Sequence, residues 1–517
     1  MKRLLISLIA VVLCCTSLSA QQTRRQLIKK FDAVYNYIED LYVEDKPLEP
    51  LVEEAIRATL QSLDPHSQYL TKEEMVASKA NLSGEFAGIG IRHIVHNDTL
   101  VVRTTEEGSP ARKAGILPND RIVAIDNQNI IGYELSAATA LIRGKVGAPI
   151  SLGIVRRGTK EPITIELKRD YISTRAIVAF RVDSVGYISI STFTKRLASE
   201  FYEAYTSLGD VSSLVVDLRD NGGGYLTSAI DLSTLFLERG DVIVATENKR
   251  RETRYRAKRN GELREIPLVV VINESTASAS EIFAGAMQDN DRATIIGRTS
   301  FGKGLIQKNI EYKDGSGLRI TIARYRTPSG RPIQRPYTAG KNTAYLRDTM
   351  RFVHPDSIER VDSLKFKTLK LGREVYGGGG IIPDIYICRD SIKLSKSLLK
   401  SISNAVVERS IVKFGDLVSM DSIRQQHPTM QSFNDEYTLS KELWDILYRL
   451  AGYGAEEITE TDHRYLEAEL YATLAEQLYG IEARHYIYIS RFDFIAQQAI
   501  TIAKESITKR VNLTKNR

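Results

Sequence analysis

The sequence predicts a multidomain α/β protein: a helical N-terminal segment, a mainly-β module, a mixed α/β core and a helical C-terminal extension. Two observations carry this. Apolar spacing switches from three-and-four to two near Gly84, and returns to helical spacing beyond residue 391. Between 171 and 390, apolar strands such as Leu214-Val215-Val216 and Leu268-Val269-Val270-Val271-Ile272 precede helical stretches at 225–237 and 278–288, the alternation of α/β folds. The length of 517 residues agrees, since it corresponds to about three to four domains. Ordinary contents of hydrophobic (43%) and charged (26%) residues exclude a disordered chain, a collagen-like fibre and a disulfide-stapled miniprotein. The net charge, 71 − 64 = +7, is too mild to imply nucleic-acid binding by itself.

In chain order, residues 1–20 read as a secretory signal. Lys2 and Arg3 precede an apolar run from Leu4 to Leu13, and Ser17-Leu18-Ser19-Ala20 offers a cleavage site before Gln21. The run falls short of the about 20 residues a membrane span needs. Leu18 fits the cleavage site imperfectly, so an uncleaved N-terminal anchor is the alternative. The expected location is outside the cytoplasm, in the periplasm or cell envelope. Cys14 and Cys15 lie in the leader and only Cys388 remains, so no internal disulfide is expected.

Residues 21–74 form the helical N-terminal segment. Leu27, Phe31, Val34, Ile38 and Leu41 recur at helical steps, and a second run from Leu51 to Leu60 follows a break at Lys46-Pro47. The β module spans 84–170. Its first strand starts at Ile89-Gly90-Ile91 and turns at Asn97-Asp98; Ser109-Pro110 opens a short helix and Leu135–Ile142 forms another. Alternation on either side of Arg157-Gly158 makes a hairpin. The α/β core takes 171–390, with 63–83 contributing, and 391–517 is helical. Inside the core, residues 249–264 carry eight basic side chains and read as a solvated strand pair; nucleic acid is not an expected partner of an exported chain.

None of the seven histidines lies in a zinc-binding pattern, and neither a GxSxG elbow nor a phosphate-binding GxxxxGK[ST] loop occurs, so no metal or cofactor is expected. Gly222-Gly223-Gly224 lies between a strand and a helix, where its amides can receive an anion. The segment Ile272–Glu281 likewise joins a buried strand to a helix. A serine there sits where the helix N-terminus favours developing negative charge, and also where a plain N-cap would sit. Downstream comes Phe301-Gly302-Lys303-Gly304-Leu305-Ile306-Gln307, in which period-two geometry places Gln307 on the face of Lys303. A neutral lysine serves as general base for a serine hydroxyl when burial lowers its pKa; an exposed lysine beside a glycine turn has the same spacing.

Taken together these segments resemble the carboxy-terminal processing, or tail-specific, proteases over about residues 30–390. The likeness runs through Leu63–Leu70, Gly84–Ile91, Tyr187–Phe193, Asp217–Gly224, the Ser278 and Lys303 segments, Arg324–Gly330 and Gly379–Asp384. It implies a crotonase-like α/β serine protease core with an inserted PDZ domain. On the matching positions, Ser278 is the nucleophile, Lys303 the general base and Gln307 the residue that holds Lys303. The amides of Ala279 and Gly223 form the oxyanion hole, with the neighbouring glycines as alternatives to Gly223. Gly88, Ile89, Gly90 and Ile91 bind the incoming peptide, and Ile91, Ala138, Leu141 and Ile142 line a pocket for its last side chain. The implied function is an exported serine endopeptidase that recognises apolar C-terminal tails of protein or peptide substrates and cleaves near the C-terminus. An activating adaptor and a second copy of the chain are candidate partners. A non-catalytic PDZ scaffold on an inactive core is the alternative, and acyl chemistry on a small thioester a more distant one. Residues 391–517 match nothing in the family, and a supporting role is expected of them.

Overall fold

The computed structural model describes residues 23–515 except 160, 174, 339, 341–344, 346–361, 388–393 and 453–457; the signal expected at 1–20 and Cys388 lie outside the described residues. The chain divides into two compact units. The smaller takes in the chain up to Lys72, with Lys308–Ile320 and Tyr337–Tyr345. It holds the two predicted N-terminal helices, 23–41 and Leu48–Gln61, the second starting after Pro47. Its strand Gln68–Leu70 pairs antiparallel with Gly317, Leu318 and Arg319. The turn before that strand is fixed by the buried Asp64 carboxylate, which accepts from the His66 and Ser67 N–H groups and from Ser67 Oγ.

The larger unit is built on a six-stranded sheet. Ile177–Val182 runs antiparallel to Val185–Ile190, and Ser213–Asp217, Leu268–Ile272, Thr294–Gly297 and Ile385–Tyr386 follow in parallel. Side chains alternate across it. Leu214, Val216, Val270 and Ile272 join a core with the helices Leu197–Ser207, Leu226–Thr234 and Ala279–Asp289. Tyr187, Val215, Val269, Val271 and Ile296 join a second core on the opposite face, formed with the C-terminal helices through Leu398, Ile411, Leu447, Leu474 and Ile500. Burial on both faces is why these strands read as continuous apolar runs rather than alternating ones. Residues 396–515 therefore supply the third layer of the sandwich.

A further sheet contains Val242–Glu247, Glu252–Arg256 and the 321–326 part of Gly317–Arg326. The strand pair expected within 249–264 lies earlier: Asn248 Oδ1 accepts from the Arg250 and Arg251 N–H groups, placing the turn before Glu252. The β module has its own core of Ile89, Val102, Ile122, Leu152 and Ile154. Its sheet runs in the order Ile91–His96, Thr99–Thr105, Arg121–Ile125, Pro149–Val155, Ile163–Lys168, so Ile91–His96 is an edge strand. That strand begins at Ile91 rather than Ile89, because Gly90 takes a φ of +79°.

Candidate active site

The fully buried strand Leu268–Ile272 delivers the chain into a turn knotted by Asn273. Its N–H donates to Thr276 Oγ1, and its side chain exchanges hydrogen bonds with Asp220. Ser278 follows at the N-cap of Ala279–Asp289, a helix whose every residue is buried. Its φ of +59° with ψ of −114° lies outside the regions a β-carbon tolerates easily. Such strain persists only where the surroundings over-determine it, and here they do. Thr276 Oγ1 donates to Leu218 O at 2.8 Å, the Ala277 N–H to Asn221 O at 3.0 Å, and the Phe301 N–H to Thr276 O at 2.9 Å. The elbow is thus tied to the glycine loop on one side and to the lysine loop on the other.

The glycine loop lies directly against Ser278. A β-carbon on Gly223 would stand 2.7 Å from Ala277 O, 2.8 Å from Ser278 Cβ and 2.9 Å from the Ala279 nitrogen, so only glycine fits. Ala279 opens the helix, which leaves its N–H outside the intrahelical ladder. The Gly223 N–H donates to Asn221 Oδ1 at 2.9 Å. Upstream, Arg219 is gripped from two directions: by Asp217 on its own strand end and, at 2.7 Å, by Asp493 of the C-terminal extension. Burial opposes the charge on Asp217, but Arg219 outweighs it and holds the carboxyl below its usual range.

Lys303 and Ser278 share two backbone anchors that the sequence reading missed. The first is Glu281, fully buried, whose carboxylate accepts from the Ser278 N–H (2.8 Å), Ser300 Oγ (2.5 Å), the Gly302 N–H (2.7 Å) and the Lys303 N–H (2.9 Å). Desolvation pushes this carboxyl up to about 7, against the pull of those four donors. The second is the Tyr325 hydroxyl, 3.0 Å from Ser278 O and 2.5 Å from Lys303 O. The Ser-x-x-Glu spacing was a visible hint of Glu281, since it is that of a capping box. Nothing local marks Tyr325, which lies 47 residues from Ser278.

Lys303 itself precedes the strand Leu305–Glu311 instead of lying in it, so the shared strand face expected for Lys303 and Gln307 is not the geometry found. Gln307 is on the strand and its Nε2 reaches Thr321 Oγ1 at 3.3 Å. The structure therefore brings Ser278, Ala279, Gly223 and the Lys303 backbone together, with Gln307 four residues along the chain.

The four peptide-binding candidates lie in the β module. Gly88 pairs with Asp170, Ile89 is fully buried with its carbonyl accepting from Ala111, and the Gly90 carbonyl accepts from Glu106. Ile91 opens the edge strand, and His93 Nε2 on that strand meets Thr139 Oγ1 of the helix Leu135–Ile142 at 2.9 Å. Ala138 and Ile142 belong to the module's core, whereas Ile91 and Leu141 are half-buried against it. Among the described residues no strand pairs with the outer edge of Ile91–His96, and the helix Leu135–Ile142 lies beside it.

The sequence profile of Peptidase family S41 matches residues 184–340, and that of the PDZ domain matches residues 101–156. The carboxy-terminal-processing protease of Bartonella bacilliformis is 38% identical over 336 residues, covering 63% of this chain and 77% of its own. The carboxy-terminal processing protease CtpB of Bacillus subtilis is 32% identical over 323 residues, covering 61% and 67%. Among solved structures, the photosystem II D1 C-terminal processing protease aligns with 70% of this chain and 87% of its own at 26% identity, with a TM-score of 0.37.

Proposed function

This chain belongs to the carboxy-terminal processing serine proteases of peptidase family S41, with a PDZ domain, and from that premise we propose that it cleaves polypeptides by a Ser278–Lys303 dyad. The observation that carries the proposal is the shared anchoring of the two residues on Glu281. Unprotonated Lys303 takes the proton of Ser278 Oγ as that oxygen attacks the scissile carbonyl carbon. The negative charge that develops on the carbonyl oxygen is met by the Ala279 and Gly223 amides at the end of a buried helix. Lys303 then passes the proton to the leaving amine, and a water repeats the sequence on the acyl-serine ester. Gln307 orients the lysine from the following strand. For the Gly223 amide to serve, it must leave Asn221 Oδ1, so substrate binding has a hydrogen bond to break before the oxyanion hole is complete.

Substrates are captured by their C-terminal tails. The edge strand Ile91–His96 takes the tail as an added strand, the loop at Gly88–Ile91 meets its carboxylate, and half-buried Ile91 and Leu141 favour an apolar last side chain. The signal-like pattern expected at 1–20 supports an activity outside the cytoplasm. A serine-directed fluorophosphonate tests the dyad: the adduct is expected on Ser278, forming faster as pH rises and lost in Lys303→Ala. An adduct of equal rate in Lys303→Ala, or one on another serine, counts against it.

A further inference from the structure

We infer that the cleft between the helices Leu197–Ser207 and Leu226–Thr234 and the strand Glu252–Arg256 binds an acidic, extended segment of the polypeptide substrate. This rests on the proteolytic reading above and adds a substrate class to it. The cleft encloses about 930 Å³, within the range of ligand sites. Lys195, Arg196, Arg254, Arg256, Lys258 and Arg259 line it, against only Asp231 and Glu262. That excess, 6 − 2 = +4, is more than half of the whole chain's +7 gathered in one concavity. A cleft lined by one sign of charge focuses the field and concentrates the opposite charge.

The cations are poorly neutralised. Arg254 pairs with Glu252, Arg259 with Glu262 and, at 4.0 Å, Arg196 with Glu200, but all three arginines are at least 60% exposed, and pairs of that kind contribute little. Among the described residues Lys258 has no acidic partner. Between the charges lie Ile230, Leu235 and Tyr255, an apolar floor for the stems of an incoming chain. The form of the ligand follows from the strand. Among the described residues Glu252–Arg256 pairs only with Val242–Glu247, so its outer edge offers backbone groups that an extended peptide can meet. Charged side chains on an edge strand also guard against pairing between copies. That explanation covers Arg254 and Arg256, but not Lys195 and Arg196, which reach the cleft from a different segment.

The cleft opens beside the proposed oxyanion loop. Gly223, packed on Ser278, receives the Phe193 N–H on its carbonyl, and the Tyr225 N–H donates to Phe193 O. The Lys195 ammonium stands 5.5 Å from the Tyr225 ring centre. Lys195 of the basic wall is thus linked to the loop packed on Ser278 through Tyr225 and Phe193.

The test uses two peptides with the same apolar tail and cleavage segment, one with a flanking run of Asp and Glu, the other with Ser and Asn. Binding is read with the full-length Ser278→Ala chain by fluorescence anisotropy, and cleavage with the otherwise unmodified chain. The acidic peptide is expected to bind about tenfold more tightly and to be cut with about tenfold higher kcat/KM at about 50 mM salt. The preference is expected to shrink towards parity at about 500 mM salt. It should also shrink when Arg254→Gln, Lys258→Gln and Arg259→Gln are combined, and independently in Lys195→Gln with Arg196→Gln. Equal binding at low salt, or a preference that survives both variants, overturns the proposal. So does a heparin fragment that binds the cleft more tightly than the acidic peptide. If neither peptide is cut while the Ser278→Ala chain still prefers the acidic one, the proteolytic reading fails and the cleft stands.

Discussion

Glu281 occupies a position in which an ordinary glutamate would be costly: fully buried, and at about 7 half-charged near neutrality. Its four donors explain why it is tolerated, since three of them are backbone N–H groups of Ser278, Gly302 and Lys303, in the proposed nucleophile and base loops. Its folded pKa is raised above the 4.5 of a free glutamate, so the stability linked to it is fully present below pH 4.5 and is lost as pH rises through 7. Glu281→Gln should remove that dependence, worth about 3 kcal/mol across the interval, in denaturant titrations at several pH values. The amide cannot accept all four donors. The variant is therefore expected to lose about tenfold to a hundredfold in kcat with KM within about threefold, as a misplaced dyad would. An unchanged kcat would show that Glu281 is only a buried cap. Only the capping-box spacing to Ser278 was legible locally, because the other partners at Ser300, Gly302 and Lys303 lie about twenty residues on and meet Glu281 only after folding.

At the scale of elements, the strands Ser213–Asp217 and Leu268–Ile272 were legible because burial on both faces removes polar positions. The helix Ala279–Asp289 was legible from its start signal, and the β module from its change of period. The lysine loop was not, since its path is set by Glu281 and Tyr325 rather than by alternation. The C-terminal helices were recognisable as helices, but their partner was invisible: it is the sheet face carrying Tyr187, Val215, Val269, Val271 and Ile296, all at most 1% exposed. Uncovering five such side chains costs on the order of 10 kcal/mol, comparable with the whole stability of a domain. A chain ended after Ile387 is accordingly expected to be insoluble or to unfold without a cooperative transition. A soluble, cooperatively unfolding truncation would contradict this supporting role. The extension also reaches the neighbourhood of the proposed oxyanion loop, because Asp493 completes the grip on Arg219 three residues before Gly222.

At the scale of the larger unit, two different interfaces meet on the C-terminal extension. Towards the sheet it is apolar; towards the PDZ domain it is ionic and polar. Arg103 lies 3.1 Å from Glu476 and 3.6 Å from Glu408, Arg121 is 2.7 Å from Asp416, and Arg157 donates to the carbonyls of Gly415 and Leu417. Glu476 is only 3% exposed, so removing Arg103 leaves a buried carboxylate with only the longer contacts to Arg484 at 3.6 Å and Arg92 at 3.8 Å. Arg103→Ala is expected to destabilise the chain by about 2–3 kcal/mol, and Arg103→Met with Glu476→Leu to recover most of that. A double variant no more stable than the single one would show that this docking is not governed by the buried pair. The proposed dyad, finally, stands or falls on cleavage. The wild-type chain, Ser278→Ala and Lys303→Ala would each be incubated with an unfolded protein ending in small apolar residues, and the products weighed intact. Fragments from the wild type alone are the expected result; equal fragments from Ser278→Ala would mean that another group does the cutting.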